Sequence, residues 1–287
     1  MRWQSWLVLA AVIPWCAIAT LRYSTAAPNG PLWSGTTRTA LGISLVLALL
    51  VYLARAATPF AALTGGVITA VLTLAPLPSS GLPSWSHSAL PSLLALFLLT
   101  FAATRFGRGK KLRLGVAEDK RGRNAAQVAA NLGVAGLGAA AALSHPALNH
   151  ALTRPWLGAA YAVIVIAALA EATADTLASE LGEVLGGQPL LVTTLRRVEP
   201  GTDGAISLAG TVAGTVGAVL VVLVAMFTLG LGFGDAACAG LGAVGGLFVD
   251  SLLGATAERR GWVNNDAVNF LSTLAAAVLA ILFFVWR

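Results

Sequence analysis

The stretch from Ile206 to Leu229, ISLAGTVAGTVGAVLVVLVAMFTL, decides the fold class. It contains no charged side chain and is longer than the roughly 20 apolar residues with which a helix crosses a bilayer core. The whole 287-residue chain has this character, because 57% of its residues are hydrophobic and only 10% are charged. A soluble domain carries about 25% charged residues and could not bury so much apolar surface. We therefore predict an all-α, polytopic integral membrane protein.

Similar windows recur along the chain, and we predict nine transmembrane helices. The windows are Ser5–Leu21, Thr39–Ala57, Phe60–Leu77, Leu90–Phe106, Asn124–Leu143, Trp156–Asp175, Ile206–Leu229, Leu231–Leu253 and Val268–Trp286. The first window follows the basic residue Arg2 and contains Ala17-Ile18-Ala19, a pattern that also fits a signal-peptide cleavage site. Because further hydrophobic spans follow it directly, we interpret this window as an uncleaved anchor.

The basic residues indicate how the helices are oriented. The segment Arg105–Arg123 contains eight of the 18 Lys and Arg residues, and the positive-inside rule places such a segment in the cytoplasm. Counting spans outward from it puts the N-terminus inside and the C-terminus outside. Segments Gly182–Ala205 and Ala255–Ala267 then lie inside as well. The net charge of +6 thus reflects membrane topology, and we expect no nucleic-acid partner.

The acidic residues are unevenly distributed, since none of the 12 occurs before Glu118. In the topology above, all except Asp235 fall at or near the cytoplasmic side. An acidic side chain in or beside a span is costly and usually functional. We predict one membrane domain, 1–287, in which residues 1–106 are apolar scaffold, 107–272 carry the chemistry and 273–287 complete the last span.

Amides and carboxylates recur at helical spacing in the fifth and sixth windows. Asn124, Gln127 and Asn131 share one helix face, where buried amides need partners either on another helix or on a substrate. Glu171 and Asp175 likewise share a face. Their mutual repulsion would be relieved by a divalent cation or a basic substrate.

The alternative for the carboxylates is a solvated helix end. In that case Glu171, Asp175 and the neighbouring Glu180 would pair with Arg196 and Arg197, which follow in the chain.

A third polar stretch precedes the seventh window. The turn Pro-Gly-Thr-Asp-Gly, residues 200–204, leads to Ser207 at the start of a helix, and Arg196 and Arg197 lie just upstream. Glycines allow close backbone approach, and a helix N-terminus offers N–H groups to an anion. The pattern is not a Walker motif, because no Gly-Lys-Ser/Thr follows. The alternative is that Asp203 simply caps the helix.

The fourth stretch spans the end of the eighth window and the start of the ninth. Asp250, Ser251 and Gly254 share a stripe, and a buried Asp250 needs a metal, a base or a proton. Asn265 and Asn269 form an amide pair at i, i+4. The alternative is a helix-end cap with interhelical amide contacts. All four stretches converge on one membrane face, a combination that suits Mg²⁺ and phosphate at the lipid–water boundary.

The order of these motifs resembles the transmembrane protein 19 family, which includes the phytyl-phosphate kinase of plant and cyanobacterial vitamin E synthesis. The resemblance covers about Lys110–Ser272. It rests on KRGRN (120–124), QVAAN (127–131), ATADTLASELG (172–182), PGTDGAIS (200–207), DSLLGAT (250–256) and VNFLS (268–272). It departs from the expected pattern at Ala205, where we expect a second glycine. The resemblance implies that a nucleoside triphosphate phosphorylates a prenyl monophosphate to the diphosphate.

We therefore expect a Mg²⁺-dependent phosphotransferase that acts on phytyl or geranylgeranyl phosphate at the cytoplasmic face of a plasma or thylakoid-type inner membrane, with CTP or another NTP as donor. The expected catalytic residues are Asp175, Asp250, Arg197 and Lys120. The expected metal ligands are Glu171, Asp175, Glu180 and Asp250. The expected nucleotide- and phosphate-binding residues are Arg121, Arg123, Asn124, Gln127, Asn131, Thr194, Gly201, Thr202, Asp203, Gly204, Ser207, Ser251, Asn265 and Asn269.

Other functions stay open at this point. A CTP-dependent polyprenol kinase or a lipid-phosphate cytidylyltransferase would use the same residue types. A transporter or lipid flippase is a further alternative, although transporters are often built from two similar halves and the acidic residues here lie at one face. A catalytically idle scaffold leaves the carboxylates without a role. The sequence leaves the prenyl chain, the nucleotide and the oligomeric state undetermined.

Overall fold

The computed structural model describes residues 2–25, 35–75, 86–117, 122–144 and 154–287. Within them the chain is almost entirely helical, which confirms the predicted fold class. The helices are α1 (Trp3–Thr25), α2 (Gly35–Leu53), α3 (Pro59–Leu74), α4 (Leu90–Arg105), α5 (Arg108–Leu114), α6 (Ala125–Ser144), α7 (Pro155–Leu185), α8 (Leu208–Leu229), α9 (Phe233–Leu253) and α10 (Asn265–Trp286). A two-stranded antiparallel ladder, β1 (Leu190–Leu191) with β2 (Ala205–Ile206), lies between α7 and α8.

Each predicted window contains a helix, but not every helix is long enough to span a membrane by itself. Seven helices in the described residues meet the requirements of length and hydropathy, and an eighth is counted if α4 and α5, which meet at a 61° bend, form one span. Helix α3 has only 16 residues. The count of nine spans and the orientation of the N-terminus stay predictions.

Helix α7 is the centre of the bundle. It packs against α4, α6, α8, α9 and α10, and most of its residues from Gly158 to Leu177 are buried. Glycines of α8 lie directly on it: a Cβ at Gly210 or Gly214 would approach the carbonyl oxygens of Ala178 and Ala174 to 2.5 and 2.6 Å. Small residues at this spacing let two membrane helices pack closely.

Local signals in the sequence explain where several helices begin. Thr58 caps α3 and is followed by proline at the first helical position, Ser207 caps α8, and Asn264 caps α10 through the N–H of Ala267. Such side chains accept hydrogen bonds from otherwise unpaired backbone N–H groups. Helix α9 continues into one π-helical turn, Gly254–Glu258.

Several chain segments meet at one end of the bundle. The start of α1 is joined to the α9–α10 connection, because Gln4 bonds to the Trp262 carbonyl and Ser5 bonds to both Asn264 and Asp266. The opposite end of α9 carries an ion pair between Asp235 and Arg287. Asp235 lies about 22 Å along the helix axis from Asp250.

Candidate functional site

A polar cavity of about 400 Å³ lies at the end of the bundle where α1 meets the α9–α10 connection. It is bordered by α6, α7, α9, α10 and the segment before α8. Most of the predicted site residues line it. They are Arg123, Gln127, Asn131, Asp175, Glu180, Gly201, Thr202, Asp203, Gly204, Ser207, Ser251, Asp250, Asn265 and Asn269. The structure therefore brings together residues that are widely separated in the sequence.

Two carboxylates lie close together in the cavity lining. Asp175 projects from α7 and Asp250 from α9, and their side chains are within reach of each other. Oδ1 of Asp250 is buried and has no hydrogen-bond partner. A buried acceptor of this kind is costly unless something binds it.

Glu171 lies one helical turn deeper on α7 and is 1% exposed. The Ser272 hydroxyl is within hydrogen-bonding reach of its carboxylate, whereas Oε1 has no partner. Gly246 of α9 packs directly behind it, since a Cβ at this glycine would lie 2.7 Å from Cγ of Glu171. The glycine thus makes room for a carboxylate that directly follows the apolar part of α7.

The acidic residues fit a cation that is shared with a substrate rather than a closed metal site. Among the residues that the structure describes, no group of three or more His, Cys, Asp or Glu side chains is arranged to hold a metal ion. Mg²⁺, however, is usually bound by one or two carboxylates together with substrate phosphates and water. The partnerless oxygens of Asp250, which lines the cavity, and of Glu171, which lies deeper, are of the type that such a cation binds.

Arg123 is held at the edge of the cavity by its backbone. Its N–H donates to Ala56 and its carbonyl accepts from Thr58, both at 3.0 Å, which fixes it to the α2–α3 connection. The preceding Gly122 has φ +75°, and a Cβ there would lie 2.3 Å from the carbonyl carbon of Ala56, so only glycine fits. The guanidinium donates to Oγ1 of Thr176, 3.2 Å away.

The Pro-Gly-Thr-Asp-Gly turn lines the cavity but does not lead straight into a helix. Strand β2 intervenes, so α8 begins at Leu208 rather than at Ile206, and Ser207 is its cap. The alternative in which Asp203 caps the helix is therefore wrong. Gly204, with φ +73°, lies against the π-helical turn, where a Cβ would be 2.2 Å from the N of Ala255.

Four of the amide side chains predicted for the site form hydrogen bonds within the protein. Asn131 and Asn269 bond to each other across α6 and α10 at 3.1 Å, which is the interhelical contact that the sequence left open. Asn124 accepts from the N–H groups of Ala126 and Gln127, and the Gln127 side chain accepts from the Asn124 N–H. This reciprocal arrangement is a capping box, and Asn124 lies outside the cavity lining.

Other predicted site residues lie elsewhere. Arg197 and Thr194 are exposed in the β1–β2 connection and do not contribute to the cavity lining. The predicted pairing of Arg197 with phosphate at this cavity therefore has no support in the structure. Lys120 and Arg121 lie outside the described residues.

Glu180 has a partner that the sequence did not indicate. Its carboxylate forms an ion pair with Lys111 of α5, whose side chain is 1% exposed. The Lys111 ammonium also donates to the carbonyls of Ala103 and Thr104. Glu180 thus lines the cavity with its charge already compensated.

Thr176 and Glu258 are among the cavity residues that the sequence analysis missed. Thr176 receives the Arg123 hydrogen bond, and Glu258 contributes a further carboxylate from the π-helical turn. Thr176 lies beside Asp175 in the ATADTLASELG motif, so the sequence could have indicated that it belongs to the site. Nothing in the sequence indicates that the helix continues far enough to bring Glu258 to the cavity.

Comparison with known proteins identifies the family of the chain. The chain is 41% identical over 122 residues to an uncharacterised membrane protein of Methanocaldococcus jannaschii, covering 42% of this chain and 50% of that protein. It is 33% identical over 191 residues to an uncharacterised membrane protein of Synechocystis, covering 66% of this chain and 71% of that protein. It is also 30% identical over 195 residues to protein VTE6, chloroplastic, of Arabidopsis thaliana, covering 66% of this chain and 56% of that protein.

The chain thus aligns with about half the length of the archaeal and Arabidopsis relatives. No solved structure gives a significant match. Residues 42–277 match the family model described as integral membrane protein DUF92. This match covers most of the chain and all of the described cavity-lining residues. The family resemblance drawn from the motifs is confirmed, and the protein belongs to the DUF92 family of integral membrane proteins.

Proposed function

We propose that this protein transfers the γ-phosphoryl group of a nucleoside triphosphate to a prenyl monophosphate, giving the prenyl diphosphate and a nucleoside diphosphate. The proposal joins the kinase activity implied by the sequence resemblance to the similarity with VTE6. The observation that carries it is the polar cavity, which combines the partnerless carboxylate oxygen of Asp250 with amides and Arg123 at one end of a membrane bundle.

The reaction needs positioning and charge compensation more than it needs a strong base. A phosphate oxygen of the acceptor attacks the γ-phosphorus, the bond from that phosphorus to the β,γ-bridging oxygen breaks, and the electron pair leaves with the nucleoside diphosphate. Since the attacking oxygen is already anionic, no proton has to be removed from it. Such transfers are catalysed mainly by alignment and electrostatic stabilisation.

The cavity residues would supply these functions. Arg123, fixed through its backbone, would neutralise the acceptor phosphate. The segment Gly201–Ser207, which includes Asp203 and Thr202, also lines the cavity. Gln127 and Asn265 offer amide groups there that can orient phosphate or ribose oxygens.

The same residues fit a divalent cation. Asp175 and Asp250 would hold Mg²⁺ together with the triphosphate, with Glu171 behind them, and the buried partnerless oxygens of Asp250 and Glu171 favour this arrangement. When bound, the ion would neutralise charge on the phosphates and help to align them. Phosphates bring negative charge into a cavity that is already acidic, so a cation is needed for electrostatic balance.

The test is an assay of the detergent-purified protein with geranylgeranyl or phytyl monophosphate, Mg²⁺ and each nucleoside triphosphate in turn. Lipid products are identified by mass. We expect a prenyl diphosphate that disappears with EDTA and falls by about two orders of magnitude or more in Asp250→Asn, in line with the removal of a group that stabilises charge in the transition state.

Asp235→Asn is the matched control, because Asp235 lies on the same helix at the opposite end of the bundle. It should retain turnover, and all variants should elute at the wild-type volume in size-exclusion chromatography. A CDP-lipid product would show that the protein is a cytidylyltransferase rather than a kinase. No product from any prenyl phosphate would refute the proposed function.

A further inference from the structure

A second cavity, here called the apolar groove, runs beside the polar cavity. It has a volume of about 160 Å³ and lies between α2, α3, α4 and α6. Its lining extends along α4 from Leu93 to Arg105, about 18 Å of helix, and along α3 from Ala61 to Thr69, about 12 Å. Leu, Val, Phe, Ala and Gly dominate this lining, so the groove offers a long contact surface for hydrocarbon.

The two ends of the apolar groove differ in charge. One end is lined by five basic side chains, Arg55, Arg105, Arg108, Lys111 and Arg123, of which Lys111 is already paired with Glu180, and no acidic residue lines the groove within the described part of the chain. Arg105 also lies over the Phe101 ring at 3.6 Å, a contact that keeps its charge beside an apolar wall. An apolar channel with a cationic mouth is complementary to a hydrocarbon chain with an anionic head.

The apolar groove and the polar cavity meet at two residues. Arg123 and Asn131 line both of them. A phosphate held at Arg123 therefore lies at the entrance to the polar cavity, near Asp175, while its hydrocarbon chain extends between α3 and α4. Asn131 is bonded to Asn269, and Arg123 is bonded to Ala56 and Thr58. Both residues at the boundary between the apolar groove and the polar cavity are therefore held in place.

We infer that the apolar groove holds the prenyl chain of the acceptor, with its phosphate at Arg123, and that the absence of a side chain at Gly65 lets the chain extend past this position. This inference rests on the proposed function for the identity of the head group. One groove accommodates one chain, and a prenyl monophosphate has a single chain, whereas membrane phosphoglycerides have two.

Gly65 is the position at which the chain can be shortened with least disturbance. It lines the groove on α3, and a Cβ there would lie 3.8 Å from Cγ1 of Val128, which is ordinary van der Waals contact. A leucine at this position therefore extends into the groove. Gly42→Leu on α2 is the matched control, because a Cβ at Gly42 meets nothing within 4 Å.

The first experiment compares geranyl, farnesyl, geranylgeranyl and phytyl monophosphates as acceptors for wild type, Gly65→Leu and Gly42→Leu. We expect Gly65→Leu to raise KM for the two longest acceptors about tenfold relative to geranyl monophosphate, the effect of losing burial of about two CH₂ groups. Gly42→Leu should keep the wild-type profile. An equal loss for all four acceptors, or an unchanged profile in Gly65→Leu, would overturn the inference.

The second experiment requires neither a variant nor turnover. A geranylgeranyl monophosphate analogue with a diazirine at the end of its chain is photolysed with the wild-type protein, and the labelled peptides are sequenced. We expect label on the groove residues of α3 and α4. Label confined to lipid-facing positions such as Phe227, which is 85% exposed, would overturn the inference.

The two proposals can fail separately. Diphosphate formation with label outside the groove leaves the proposed function standing and removes this inference. Label inside the groove without diphosphate formation removes the proposed function and leaves the groove as the binding site of the prenyl chain. Phosphatidic acid that displaces the label as effectively as unlabelled geranylgeranyl monophosphate would assign the groove to membrane lipid and overturn the inference.

Discussion

At the scale of single residues, the ion pair of Lys111 and Glu180 indicates that Glu180 has a structural role rather than a catalytic one. Both side chains are largely buried, and removing one member of a buried pair leaves the other charge uncompensated. We therefore expect Lys111→Met to lower the free energy of unfolding by about 3 kcal/mol. Thermal unfolding followed by tryptophan fluorescence measures the change, and Lys110→Met, at the exposed neighbouring position, is the control.

The same pair decides whether Glu180 is a metal ligand, as the sequence predicts. We expect Glu180→Gln to be destabilised but to need the same Mg²⁺ concentration for half-maximal rate. An increase of about tenfold or more in that concentration would show a ligand that has been lost from the metal, because one weakened coordination costs at least this much affinity. In that case Glu180 acts mainly as a metal ligand, and its ion pair with Lys111 is the less important of its two contacts.

Single residues also show what the sequence could and could not predict about the site. Asp175, Asp250 and Arg123 were identified because charge beside an apolar span is costly and therefore conspicuous. The partner of Glu180 could not be identified, since Lys111 lies 69 positions away in a segment where many basic residues look alike. Pairings of this kind depend on how the helices pack, which the local pattern does not specify.

At the scale of the elements, the start of α6 provides a test of two roles for Asn124. The sequence predicts that Asn124 contacts substrate, whereas the structure uses its side chain as a helix cap. We expect Asn124→Ala to destabilise the protein by about 1 kcal/mol and Asn124→Ser to retain stability, because serine also caps helices well. Asn124→Ser should also keep the wild-type KM for both substrates; a loss of turnover without a loss of stability would restore the substrate role.

Helix boundaries show a general limit of hydropathy. The sixth window ends at Asp175, but α7 continues to Leu185, so three of the four predicted metal ligands, Glu171, Asp175 and Glu180, lie inside a long helix rather than at its end. Hydropathy reports which residues prefer lipid, and it stops at the first charges, whereas backbone hydrogen bonding continues through polar residues. Conversely, the third window is apolar throughout, yet α3 has only 16 residues.

At the scale of the whole molecule, the orientation in the membrane is still a prediction from charge. It can be measured with single cysteines in a background lacking Cys16 and Cys238. Because the basic segments should stay in the cytoplasm, we expect a membrane-impermeant maleimide added to intact cells to label Phe233→Cys and not Arg196→Cys. Both positions are exposed; Phe233 begins α9 and Arg196 lies in the β1–β2 connection, at opposite ends of the bundle. The reverse labelling would place the polar cavity on the outer face.

The joining of α1 to the α9–α10 connection has a consequence for biogenesis. The bonds from Gln4 and Ser5 link residues that are 258 to 261 positions apart. During synthesis α1 enters the bilayer long before its partners exist, so its polar end stays without them until the last helix is inserted. Closure of this end of the bundle is therefore a late event after translation, and chains interrupted before α10 retain an open end that quality-control proteases can recognise.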